Sequence, residues 1–297
     1  MYLYLPIAEQ SVNALLILAL SAGVGFLSGL VGVGGGFVMT PLLILVGIPP
    51  PIAVATELSQ VSASSAAGML AYWRRKLLDL RMGLWLVAGG VVGSWAGVRL
   101  FGFLDTLGQI DVIVTLSYVF LLSVIGSLML AESLTAIRRR RRAAPLPRLP
   151  APGSEPRRGN RLVGGGAPFA VGAGVGILSG GLGVGGGFVL VPAMIYLLRM
   201  PTSVVIGTSF FYILTVSSLS TFLHATTNRS VDVMLAALLI VGGVVGAQFG
   251  VRAGARLPSE QLRAILAAVV LGAGLALLWD LVAAPREAFS LTIETRR

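Results

Sequence analysis

The chain has 297 residues, of which 56% are hydrophobic and only 11% charged, against about 25% charged in a typical soluble domain. That leaves too little polar surface to cover a soluble globule, and excludes an ordinary soluble enzyme, a folded nucleic-acid-binding domain and a disordered chain. The net charge is +10, cysteine is absent and His224 is the single histidine, so disulfides, thiolate chemistry and multi-histidine metal sites are out and no cofactor is expected.

The class left is an all-α polytopic membrane protein. Residues 1–11 hold no Lys or Arg, so they lack the basic start of a signal peptide. Spanning a core of ~30 Å takes about 20 apolar residues at 1.5 Å per residue. Residues 12–31, 82–98, 112–131, 233–251 and 264–279 are uncharged runs that approach or meet this length. Residues 52–73 carry one charge, Glu57, and 202–225 carry none apart from His224 when protonated. Two shorter runs, 37–48 and 188–198, each follow a glycine cluster and reach only about 18 Å as helices.

An internal repeat organises these runs. Residues 27–38 read LSGLVGVGGGFV and residues 178–189 read LSGGLGVGGGFV, identical at ten of twelve positions. Residues 89–99 (GGVVGSWAGVR) and 242–252 (GGVVGAQFGVR) match at eight of eleven. Between them, Ala55-Thr56-Glu57 corresponds to Gly207-Thr208-Ser209. A period near 150 residues is a duplicated half. The boundaries are a first repeat at 1–133, a linker at 134–162, a second repeat at 163–284 and a tail at 285–297. The linker holds nine arginines, five of them at 138–142, and five prolines, and reads as a solvated, mostly disordered segment.

Basic loops stay in the cytoplasm. Arg74, Arg75, Lys76 and Arg81 put the 73–81 loop inside with the linker, whereas the 100–110 loop holds Asp105 and no basic residue. In the second half the pattern flips: the 225–232 loop has only Arg229, and the 252–263 loop has Arg252, Arg256 and Arg263. This predicts two inverted-topology repeats of about four to five membrane segments each, with either a glycine-broken first helix or a re-entrant hairpin. Both termini then lie outside an inner, plasma-type membrane. The five-arginine run reads as a topology determinant that contacts anionic lipid.

Gly32-Val33-Gly34-Gly35-Gly36 and Gly183-Val184-Gly185-Gly186-Gly187 interrupt apolar runs. Glycine costs a helix about 1 kcal/mol relative to alanine, and broken backbone at membrane depth survives only inside protein or along a cavity. A short helix starting there offers free N–H groups and a positive dipole end. Gly34, Gly35, Gly36, Gly185, Gly186 and Gly187 are therefore candidates to line a site for a small anion. By contrast, Gly25/Gly29, Gly93/Gly97 and Gly246/Gly250 have the spacing of tight helix packing. No Gly-Lys-Ser/Thr follows either cluster, so neither is a nucleotide loop.

The duplicated G-x-x-S-G-x-x-G-V-G-G-G-F, the Ala-Thr-Glu/Gly-Thr-Ser elements and the repeated G-G-x-x-G-x-x-x-G-V-R resemble the sulfite exporter TauE/SafE family of membrane permeases. The resemblance covers about residues 12–133 and 164–283. It implies a secondary transporter of sulfur-containing anions such as sulfite or small organosulfonates, working by alternating access. Glu57 departs from the family pattern, which more often has a small polar residue there.

Among polar residues within spans, Thr56, Gln60, Thr208, Ser209 and Tyr212 are candidate substrate contacts, since hydroxyls and amides bond sulfonate oxygens without a buried charge. Their other role is helix-to-helix bonding. Glu57 is a coupling candidate: an intramembrane acid is a functional candidate by default, protonated in one state and ionised in another, or else a residue snorkelling at the outer interface. A fixed carboxylate beside an anion site would repel the substrate. Arg99 and Arg252 end equivalent helices and are gating candidates, with snorkelling as the plainer role. His224 reads as an interfacial residue matching Tyr72. Asn228-Arg229-Ser230 fits a glycosylation acceptor. The expected partners are a small anion, membrane lipid and a coupling proton or sodium, unless transport is uncoupled; nucleic acid is not among them. The rival readings are a carrier or channel for another small anion such as a carboxylate, and, from a different class, an intramembrane enzyme or structural subunit.

Overall fold

A computed structural model of the chain describes residues 2–31, 36–74, 77–108, 110–142, 165–200, 202–254 and 259–283. The described residues are mostly helical, as expected of an all-α membrane protein, with one β-hairpin added at the start. Strands β1 (Tyr2–Leu5) and β2 (Gln10–Asn13) pair antiparallel, with Leu3 opposite Val12 and Leu5 opposite Gln10. The run beginning at residue 12 looked like uninterrupted helix because hydropathy does not separate a Leu/Tyr/Val strand from a span. Asn13 ends the strand by accepting the Leu15 N–H at 3.1 Å, and α1 (Ala14–Val31) starts there.

The first copy continues with α2 (Gly36–Leu45), α3 (Pro50–Arg74), α4 (Leu80–Thr106) and α5 (Ile110–Arg142). The second copy has α6 (Gly166–Leu182), α7 (Gly187–Tyr196), α8 (Thr202–Leu223), α9 (Val233–Gly254) and α10 (Ser259–Val282). A π-helical turn, His224–Asn228, extends α8. Most of each apolar run is helix among the described residues. Leu80–Thr106, Ile110–Ala131, Val204–Asn228 and Val233–Gly250 are long and apolar enough to cross a bilayer. Helix α5 runs nine residues into the expected linker, where Leu, Ala and five Arg are good helix formers. The rest of the linker, 143–162, and the tail lie outside the described residues.

Packing follows from small residues. Helices α1 and α9 lie parallel, with Gly25 on the Gly243 backbone, Gly29 on Ala247, Gly246 on Ala22 and Gly250 on Phe26. The exchanged pair, α6 and α4, does the same: Gly89, Gly93 and Gly97 meet the carbonyls of Phe169, Ala173 and Ile177. A methyl at these glycines would enter the facing backbone, so the small-xxx-small spacing serves packing. Equivalent helices instead meet antiparallel. Along α3 and α8, Tyr72 stacks on Phe210 at 5.8 Å and Ser62 Oγ lies 2.5 Å from Ser218 Oγ. On α5 and α10, Gly126 faces Leu271 and Leu122 faces Gly274. Helices of one copy thus pair with exchanged partners of the other, and equivalent helices pair with each other. Outward faces carry exposed apolar side chains such as Trp95, Phe120, Phe249 and Trp279, as a lipid-facing surface requires.

Candidate functional site

The second glycine cluster has a defined shape. Helix α6 ends at Leu182, and Gly183 closes it with φ +69° and its N–H on the Ser179 carbonyl at 2.9 Å. Gly185 and Gly186 follow at φ +68° and +71°, and α7 begins at Gly187. The left-handed region is costly for a residue with a Cβ, so this loop demands glycine on backbone grounds alone. It also lies flat on α3: a Cβ on Gly183 would stand 2.5 Å from the Val54 carbonyl, and one on Gly185 2.5 Å from Val61 Cγ1.

The first cluster comes to the same place. Gly36, the first residue of α2, would put a Cβ 2.5 Å from Val61 Cγ2 and 3.1 Å from the Val184 carbonyl. The next residues of the two copies, Phe37 and Phe188, touch with ring centroids 5.1 Å apart. Gly36, the described residue of the first cluster, and Gly185 of the second therefore meet the same side chain, Val61. Gly34 and Gly35 lie outside the described residues. The N–H groups of Gly185, Gly186 and Gly187 have no partner among the described residues, and they form the positive end of α7. Pro41 and Pro192, at equivalent positions in α2 and α7, each remove one further helix bond.

The polar candidates divide into engaged and unpaired groups. Thr56 Oγ1 accepts the Asp232 N–H at 3.1 Å, and Thr208 Oγ1 accepts the Asp79 N–H at 3.2 Å. These are the same contact in the two copies, each tying the central helix of one copy to the start of the fourth helix of the other: α3 to α9 and α8 to α4. Thr208 also donates to the Val204 carbonyl, and Ser209 donates to Ile206. Tyr212 packs on Gly90 and donates to the Gly172 carbonyl at 2.7 Å. Its counterpart Gln60 packs on Gly243, the counterpart of Gly90, and leaves Oε1 unpaired. Ser65 and Ser217, equivalent in the two copies, and Ser179 also keep buried hydroxyls without a partner among the described residues. Ser65 sits one turn past Val61 and Ser179 one turn before Gly183, so unpaired hydroxyls flank the breaks.

Glu57 does not snorkel to water. It is 0% exposed, two turns inside α3, and neither carboxylate oxygen has a partner among the described residues. The N-terminal hairpin helps cover that end of α3: Leu5, Ala8 and Val12 join Ile48, Ile52 and Ala53 in one core cluster. His224, just past the end of α8, is likewise 0% exposed. Asn228 Nδ2 donates to its Nδ1 at 3.0 Å, which leaves Nε2–H to donate to the Gly180 carbonyl at 2.8 Å. Phe101 packs edge-on against the ring. This is a neutral clamp between α8 and α6, and it engages the Asn228 of the glycosylation-like triplet. Arg99 and Arg252 are exposed. The Arg99 guanidinium stands 5.2 Å from the ring of Trp95, one turn away on α4.

Sequence reasoning passed over three residues. Tyr118 is a lone phenol within an apolar run, yet it is fully buried and its hydroxyl donates to the Leu182 carbonyl at the mouth of the second break. Thr40 is buried on α2 with its hydroxyl unpaired. Asp232 caps α9 by accepting Met234 and Leu235 N–H at 3.0 and 3.1 Å. An acid just before an apolar run is a capping signal, so that role was readable.

A family profile for sulfite exporter TauE/SafE matches residues 17–277. The chain is 30% identical over 268 residues to the probable membrane transporter protein YjnA of Bacillus subtilis, covering 88% of this chain and 98% of that one. It is 30% identical over 275 residues to a probable membrane transporter protein of Xylella fastidiosa, covering 91% and 97%. A 73-residue stretch is 34% identical to sulfite exporter TauE/SafE family protein 3 of Arabidopsis thaliana, covering 25% of this chain and 15% of that protein. No solved structure matches the chain at a significant level.

Proposed function

Since the chain belongs to the sulfite exporter TauE/SafE family of membrane transporters, we propose that it carries small sulfur-containing anions, such as sulfite or organosulfonates, by alternating access. The observation that carries this reading is the meeting of Gly36 and Gly185, one from each glycine cluster, at Val61, with three N–H groups at the start of α7 that have no partner among the described residues. Backbone N–H groups at a helix start hold an oxyanion without a fixed countercharge. The hydroxyls of Ser65, Ser179 and Ser217, which have no partner among the described residues, supply further donors around a tetrahedral or pyramidal oxyanion. Thr56, Thr208, Ser209 and Tyr212 frame this region and hold its helices in place.

The antiparallel meeting of α3 with α8 and of α5 with α10 supports an inverted-topology repeat. One copy rocking against the other about the two-fold then exposes the central region to either side in turn. The membrane is the inner, plasma-type one, with the linker cytoplasmic. Arg252 lies on the surface in the last turn of α9, whereas Arg99 is exposed seven residues before the end of α4 rather than at its end; both act towards the mouths rather than at the centre.

Counterflow tests the reading. Proteoliposomes loaded with sulfite, thiosulfate, sulfoacetate, taurine or a dicarboxylate are diluted into labelled solute. Saturable exchange confined to the sulfur anions is the expected outcome. Exchange favouring the dicarboxylate moves the cargo to the carboxylate class, and a current that reverses at an ion's equilibrium potential replaces the carrier with a channel.

A further inference from the structure

The first copy holds a buried polar cluster that the second copy lacks. Thr40 on α2, Glu57 on α3 and Tyr118 on α5 are each 0% exposed. The Tyr118 hydroxyl meets the Leu182 carbonyl, the next residue, Gly183, lies against the Val54 carbonyl one turn before Glu57, and α2, which carries Thr40, packs on both α3 and α5. Helices α2 and α3 form a hairpin, and at 1.5 Å per residue Thr40 and Glu57 stand roughly 7.5 and 10.5 Å from its turn, at similar depth. The equivalent places in the second copy hold Val191, Ser209 and the apolar turn at Val270 and Leu271. Since apolar and small side chains fill those places in the second copy, packing alone does not call for the polar set.

The unpaired atoms of this cluster are all oxygens. Thr40 Oγ1 and both Glu57 carboxylate oxygens have no partner among the described residues, and neither has Gln60 Oε1 one turn further along α3. The Tyr118 proton is committed to the Leu182 carbonyl, which belongs to the last residue of α6 and so to the negative end of its dipole. The region thus gathers acceptors and one carboxylate, and no basic side chain pairs with that carboxylate among the described residues. Buried oxygens left without donors in a native structure point to an ion or water that satisfies them.

We propose that Thr40, Glu57 and Tyr118 form a binding site for a monovalent cation, sodium, whose single charge matches the one carboxylate. Hard cations take oxygen ligands, and helix ends with unwound carbonyls are the usual places for sodium in transporters with broken helices. A bound cation also cancels the repulsion that Glu57 exerts on an anion at the neighbouring glycine breaks, so the two ligands bind cooperatively. That coupling rests on the anion-carrier reading; the cation site does not.

The test is thermal unfolding of the purified full-length protein in detergent, without anion, as choline chloride is replaced by sodium or potassium chloride at constant ionic strength. Sodium is expected to raise Tm by several degrees with a saturating dose response, and potassium much less. Thr40→Val and Glu57→Ser place second-copy residues in the first copy, and each is expected to lower apparent sodium affinity tenfold or more while keeping a cooperative transition in choline. If Glu57→Ser does not unfold cooperatively, Thr40→Val decides alone. An unchanged sodium response in the variants overturns the site, as does a wild type that follows pH and ignores sodium. A second arm adds sulfite with and without sodium. Stabilisation by sulfite that needs no sodium leaves the anion site standing and removes the coupling, whereas a sodium response with none to sulfite leaves the cation site and removes the sulfite reading.

Discussion

Gly36 and Gly185 press on the two methyls of one side chain, Cγ2 and Cγ1 of Val61, yet they are glycine for different reasons. Gly185 has φ +68°, whereas Gly36 is an ordinary helical residue. Alanine at either position meets a γ-carbon of Val61 at 2.5 Å, and overpacking of this kind costs about 1–3 kcal/mol. Alanine at 185 carries in addition the left-handed backbone cost, about 1–2 kcal/mol. Gly185→Ala should therefore lower Tm more than Gly36→Ala. Adding Val61→Ala should restore most of the loss for Gly36→Ala and only part of it for Gly185→Ala. Equal rescue in thermal denaturation would show that sterics alone hold the second break. The comparison also separates packing from ligand contact, because counterflow by the rescued Gly36→Ala, Val61→Ala pair reports whether the methyl blocks the anion.

At the scale of elements, the N-terminal hairpin and α9 are joined through one carboxylate. Asp232 Oδ2 accepts the Ile7 N–H at 3.0 Å, while Oδ1 accepts from Met234 and Leu235. Asparagine is as good a helix cap as aspartate, but its amide nitrogen cannot accept a bond. Asp232→Asn should keep the start of α9 protected in hydrogen exchange and release the Ile7 amide, with a stability loss of about 0.5–1.5 kcal/mol for the one bond. Fast exchange at both places would mean the cap and the tether are a single unit. This hairpin also shows where reading the sequence stopped. Long apolar runs and glycine breaks have local signatures, so the helices and both breaks were legible. The depth of Glu57 was not, because it depends on residues 2–13 folding back over the start of α3. His224 aligned with the span-end residue Tyr72 and looked interfacial, but the π-helical turn extends α8 past it and places the ring on the Gly180 carbonyl. Among the candidate contacts, Thr56 and Thr208 were legible as polar residues within spans. Their bonds to Asp232 and Asp79 were not, since those partners lie 176 and 129 residues away.

For the whole molecule, the arrangement of ends restricts how the chain sits in a membrane. The hairpin turn at Ile7 and the start of α3 at Thr56 both meet Asp232, so the N-terminus, the α2–α3 turn and the α8–α9 loop share one end. The start of α8 meets Asp79 through Thr208, which puts the α7–α8 turn and the α3–α4 loop at the opposite end. Basic residues mark that second end: Arg74 and Arg81 beside the α3–α4 loop and Arg199 in the α7–α8 turn. A charge bias of this kind faces the cytoplasm. Because the chain has no cysteine, every introduced thiol is the only one present, and sidedness can be read position by position. Cysteine at Tyr4 in the hairpin or at the exposed Thr227 should react in intact cells with a maleimide that cannot cross the membrane. Cysteine at Ser154, within the arginine-rich linker, should react only after permeabilisation. Labelling of Tyr4 and Ser154 positions from the same side would rule out an odd number of crossings per copy. With it would fall the inverted repeat on which rocking about the two-fold depends.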